Sequence, residues 1–246
     1  MISSSFRRMT VSTLLLYIML QVSFISSATE NKSYGVDKFH VFSDKSKYYA
    51  IEEKIISEDI KGIYKIEPGD SPENVIYKVL AASKYLISLT LSLQSTPEIE
   101  DQVNKTAEKG CSMYPEIPEL KMLYASTLSD PVKKILILST MVNFSDICPG
   151  IPVLLLSAFN AMYGNSKIYK QDKSLKSLII FAMMGDNPET CIKKSRIMAI
   201  YWAKKINMTY VPDPYKNGIK QLASEQININ DAEHIWHSIL QYNHKK

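Results

Sequence analysis

The chain has 246 residues, 29 Lys and Arg against 25 Asp and Glu, and a formal charge of +4. Only three of its basic residues are arginines, and two of those, Arg7 and Arg8, precede an apolar run and so fall in an expected leader. A mature chain with Arg196 as its sole arginine and a net charge near +2 is poorly equipped to grip phosphates or read base edges, which argues against nucleic acid as a partner.

Residues 1–28 read as a signal peptide. Arg7 and Arg8 form its positive end, Leu14 to Ile25 its apolar centre, and Ser26, Ser27 and Ala28 its small-residue end. The apolar run is shorter than the roughly 20 residues a bilayer span needs. The mature chain is therefore expected to start near Thr29 and to be secreted. The abundance of Lys, Ile, Asn, Tyr and Ser is that of AT-rich coding genomes, as in many single-celled parasites and some insects.

Residues 29–70 read as an extended or irregular segment. Phe39 to Phe42 and Gly62 to Ile66 look extended, as a small strand pair or as a strap across a bundle, with a short helix near Glu52 to Glu58 between them.

From residue 71 to 246 the pattern is that of one helical domain. A capping residue followed by proline, usually then glutamate, recurs at Ser71-Pro72-Glu73, Thr96-Pro97-Glu98, Asp130-Pro131 and Asn187-Pro188-Glu189. Each supplies an N-cap oxygen, a proline where its missing N–H costs nothing, and in three cases a carboxylate at the positive end of the helix dipole. Pro115-Glu116 and Pro118-Glu119 repeat the signal more weakly. Val75, Ile76, Val79, Leu80, Ser83, Leu86 and Ile87 form one stripe, and Leu120, Leu123, Tyr124, Thr127 and Leu128 another. Val132 to Phe144, Val153 to Tyr163 and Leu175 to Met184 are apolar nearly all round, as central helices are. Gly110, Gly150, Gly164 and Gly185 read as breaks. Asp231 to Tyr242 closes the chain with Ile235, Trp236, Ile239 and Leu240 on one side. The fold expected is a mainly α, multi-helix bundle of about eight or nine helices, with an irregular N-terminal segment.

Cys111, Cys148 and Cys191 are an odd set for an oxidising route. If the helices from residue 97 onward alternate up and down, all three lie at one end of the bundle. Cys111–Cys148 is then the favoured pair and Cys148–Cys191 close behind it. The remaining thiol is either buried or joins two chains in a disulfide-linked dimer. Four sequons occur. Asn31, Asn104 and Asn207 are the expected glycan sites, and Asn143, at the end of a very apolar helix, is the one least expected to be reachable.

No catalytic signature is present: there is no Gly-x-Ser-x-Gly, phosphate-binding glycine loop, His-Glu-x-x-His or Cys-x-x-Cys. His234 and His237, one turn apart with Glu233 beside them and His244 beyond, lack a third metal ligand. No enzyme activity, cofactor or metal is expected. Met183, Met184 and Met198 are core material that could also adapt to an apolar ligand.

One stretch stands out. Residues 191–206, CIKKSRIMAIYWAKKI, carry five cations and no acid. At helical spacing Ile192, Ser195, Ala199, Trp202, Ala203 and Ile206 form a core face, while Lys193, Lys194, Arg196, Lys204 and Lys205 lie off it, interleaved with Ile197, Ile200 and Tyr201. Basic residues among large apolar ones suit docking on a membrane surface or a cell-surface protein. Coverage by neighbouring helices, with lysine stems reaching out to water, is the competing explanation. The function expected is that of a secreted, non-enzymatic helical protein that binds at a cell surface or membrane, of the kind a parasite uses to leave, enter or traverse a cell. The alternative is a secreted carrier of a small apolar ligand.

Overall fold

The computed structural model describes residues 62–146, 148–164, 187–208 and 213–244, with residues 50, 53–55, 184 and 211 besides. Its described residues are mostly helical and contain no strand. The helices are α1 (Pro72–Leu91), α2 (Pro97–Met113), α3 (Pro118–Thr127), α4 (Pro131–Ser139), α5 (Gly150–Gly164), α6 (Pro188–Lys205), α7 (Asp213–Ser224) and α8 (Ile229–His244), with a 3-10 turn at Val142–Phe144. The mainly α class is as expected. The leader, Phe39 to Phe42, Asn31 and all but Met184 of the expected helix from Leu175 lie outside the described residues, as does most of the expected helix near Glu52, of which Glu53 to Ile55 are helical.

The proline punctuation sets the starts. Ser71 accepts from the Asn74 N–H, Thr96 from Ile99, Asp130 from Val132 and Asn187 from Thr190, and in each case a proline opens the helix. These bonds satisfy donors that a helix cannot pair internally.

The chain forms two compact units: Met1–Thr127 with Asp146–Cys148, and Leu128–Ser145 with Pro149–Lys246. In the first, α1, α2 and α3 pack on one another. Val75, Ile76, Val79 and Leu80 are buried there with Val103, Ala107, Leu120 and Leu123. Gly110 is no break. It lies inside α2, where a Cβ would stand 2.9 Å from Val75 Cγ1 and 3.1 Å from Val79 Cγ2, so glycine sets how closely α1 and α2 approach.

The residues before α1 form a strap and not a strand. Ile66 is buried, and its carbonyl accepts from Lys109 Nζ at 2.6 Å. Lys78 Nζ bonds the Lys65 carbonyl at 2.8 Å and the Asp70 carboxylate at 2.6 Å, while Tyr114 Oη donates to the Asp70 carbonyl. Side chains of α1 and α2 thus satisfy backbone groups that a strand partner would otherwise take. The ammonium of Lys78, followed by the Glu67 N–H, holds the Asp70 carboxyl below its ordinary range.

In the second unit α5 is the central helix, buried from Gly150 to Leu156 and again at Ala158, Phe159 and Met162. It packs on α4 and, more extensively, on α6; α6 also carries α7 and α8. Ser195, Ala199 and Ala203, four residues apart on α6, form a small-residue stripe that is fully buried or nearly so. At the far end of α8, Asn243 Nδ2 donates to the Leu136 carbonyl and to Ser139 Oγ of α4, at 2.8 and 2.9 Å. Glycine at 150 opens α5 and does not end a helix, because the turn that closes the preceding segment comes earlier, at residues 140–146.

Candidate functional site: the cationic side of α6

The stretch 191–206 forms α6 and its C-cap, Ile206. Its core face is as the spacing indicated: Ser195, Ala199, Trp202, Ala203 and Ile206 are buried, and Ile192 is half-buried. Trp202 meets Trp236 of α8 edge to face, with centroids 4.9 Å apart at 76°, the arrangement that aromatic quadrupoles prefer.

The opposite side departs from expectation in its apolar groups. Ile200 is 4% exposed and Tyr201 9%. Arg196, Ile200 and Lys204 follow one another at i, i+4 and i+8, a single ridge on the helix. Both ends of that ridge engage the end of α7: Arg196 forms an ion pair with Glu225, and Lys204 Nζ donates to the Ala223 carbonyl. The residue between them is therefore covered. Tyr201 lies against Trp202, centroids 5.3 Å apart, with Lys205 Nζ 5.3 Å above its ring. Burial, then the charge of Glu233, raises its phenol's pKa. Ile200 and Tyr201 are thus core groups, not the surface anchors that the sequence pattern suggested.

Two of the five cations have internal roles as well. Lys204 satisfies a carbonyl that the end of α7 leaves open, at the negative end of that helix's dipole. The guanidinium of Arg196 also stands 5.1 Å from the ring centroid of Tyr163. Lys193 and Lys194 form no ion pair among the described residues, and Lys193 and Lys205 are exposed. On the helix, Lys193, Lys194, Lys204 and Lys205 fall within an arc of about 120°, and Ile197, half-exposed, lies inside that arc. Sequence reading missed Tyr163, 40% exposed at the end of α5, which the fold brings to Arg196. No local signal marks it, because the contact joins residues on two helices.

The other expected sites fare differently. This structure contains no disulfide; Cys148 and Cys191 are buried and Cys111 is half-buried. Cys111 shares its electrostatic surroundings with Lys121 and Glu108, Cys148 with Glu119. Cys111 and Cys148 belong to the first unit and Cys191 to the second. Asn104 is half-buried on α2 with its Oδ1 inaccessible, whereas Asn143 and Asn207 are exposed. His234 and His237 are exposed, and no group of His, Cys, Asp and Glu suited to a metal occurs among the described residues. Met184 and Met198 are fully buried. No helix among the described residues is long and apolar enough to cross a membrane.

Compared with protein-family models, with curated proteins and with solved structures, the chain matches none of them.

Proposed function

We propose that this is a secreted, non-enzymatic binding protein that docks on an anionic cell surface through the cationic side of α6. The observation that carries the reading is the arc of Lys193, Lys194 and Lys205 around the half-exposed Ile197, with the Arg196–Tyr163 pair at its edge. Packing does not require these three lysines to be basic. Among the described residues Lys193 and Lys194 have no acidic partner, and Lys205 stands over the Tyr201 ring. Each ammonium near an anionic lipid surface contributes about 1 kcal/mol, so three give roughly 3 kcal/mol, or about two orders of magnitude in affinity. Ile197 adds a modest apolar contact. Attachment of this strength is reversible and salt-sensitive.

The test is cosedimentation with vesicles of phosphatidylserine and phosphatidylcholine at low salt. Replacing Lys193, Lys194 and Lys205 with Gln should lower binding by about a hundredfold and leave the circular dichroism and melting profile unchanged. Equal binding by the variant and the native protein would remove α6 from the docking surface.

A further inference from the structure

We infer that Asn143 carries an N-linked glycan. This rests on the secretory reading above and reverses the ranking that sequence alone suggests. Its apolar flanks, Ile135 to Val142, made Asn143 look like the end of a buried helix. In the structure α4 stops at Ser139, and Asn143 stands exposed in the 3-10 turn Val142–Phe144. The turn is closed by Phe144 N–H to the Met141 carbonyl at 2.8 Å and Ser145 N–H to the Val142 carbonyl at 3.1 Å. Ser145, which completes the sequon, also returns its hydroxyl to the Val142 carbonyl at 2.6 Å. None of these bonds uses the Asn143 side chain, so a substituent on its amide displaces nothing in the fold.

The contrast is Asn104. It sits in the middle of α2 and its Oδ1 is buried. A sugar there would have to fit beside a side chain that is already half covered. Asn143 meets no such obstacle.

The chemistry is transfer from a lipid-pyrophosphate-linked oligosaccharide. The Asn143 amide nitrogen forms a bond to the anomeric carbon while the bond from that carbon to the pyrophosphate oxygen breaks. The lipid pyrophosphate leaves with the electron pair, and the amide proton passes to base. The glycan would also be compatible with docking. Its turn precedes α5, and Tyr163 lies at the other end of that helix, ~20 Å along the axis.

The experiment is expression of the full chain, with its own leader, in a eukaryotic secretory cell. Glycosidase release in heavy-oxygen water, which converts a glycan-bearing Asn to labelled Asp, is then read peptide by peptide together with the N-terminus. Label at Asn143 is expected, and Asn143→Gln and Ser145→Ala should each remove the same single glycan from the secreted protein. A chain that is exported and cleaved near Thr29 but carries bare Asn143 overturns the site and leaves the secretory reading standing. A chain retained with Met1 intact and no glycan overturns the secretory reading, and the site with it.

Discussion

Lys204 reaches from the last turn of α6 to the backbone carbonyl of Ala223, one ridge position beyond Ile200, and so closes the end of α7 over that isoleucine. This contact separates the part of α6 that holds the fold together from the part left to meet a partner. Ile200→Asp would bury a carboxylate in that covered position, between two cations already engaged by the end of α7, at a cost on the order of 4 kcal/mol out of a total stability of about 5–15. Lys193→Gln, at the exposed end of the arc, should stay within about 0.5 kcal/mol. Urea unfolding of the two variants checks both statements; a native midpoint for Ile200→Asp would mean that Ile200 is not covered.

Lys134 supplies a pH test. It lies in α4, 6% exposed, and burial lowers its pKa from 10.5 to about 8. The unfolded chain therefore binds more protons than the folded one between about pH 8 and 10.5, and stability should rise with pH across that window. Below pH 8 the ammonium is charged in both states and the full penalty applies, about 3 kcal/mol as an upper bound. Lys134→Met should raise the urea midpoint at pH 7 and flatten the rise between pH 8 and 10. A variant less stable than the native protein at pH 7 would show that the ammonium is stabilised by its surroundings.

Much of this was legible in the sequence, for reasons that are local. The oxygen of Ser71, Thr96, Asp130 or Asn187 and the proline after it act within one turn, so they read correctly without knowledge of the fold. Gly110 misled because its role is a close approach between helices, which looks the same in sequence as a break. Lys134 was hidden among apolar residues, and Ile200 and Tyr201 were misplaced because a helix flanked by three others has more than one buried side. Cysteine pairing lies beyond such local reading for a related reason: it requires the relative placement of elements far apart in the chain.

Backbone strain gives a further prediction. α1 ends in a Schellman motif, with Gln94 N–H to the Leu89 carbonyl at 2.7 Å and Leu93 N–H to that of Thr90 at 3.1 Å. The left-handed position is filled by Leu93, at φ 60 and 68% exposed, where glycine is preferred. A left-handed L-residue costs roughly 1–2 kcal/mol, and glycine's extra freedom in the unfolded chain returns about 0.5–1 of that. Leu93→Gly should therefore stabilise by about 0.5–1 kcal/mol, read as a higher melting temperature. Destabilisation would mean that the Leu93 side chain makes a contact worth more than the strain.

The thiols should react in order of exposure. Burial, with the charge of Glu119, pushes the Cys148 thiol well up, and burial raises Cys111 less. A small maleimide should label Cys111 alone in the native protein, and all three cysteines once it is denatured without reductant. Fewer than three in the denatured state would reveal a disulfide absent from this structure.

The central claim, that the cationic arc of α6 is a docking face, is tested most directly by the partition of the native protein onto vesicles as phosphatidylserine replaces phosphatidylcholine. The measurement is made at 0.01 and 0.15 M salt, where screening lengths are about 30 and 8 Å. Binding should climb steeply with anionic content at low salt and largely vanish at the higher salt. Indifference to phosphatidylserine at 0.01 M salt would contradict the account.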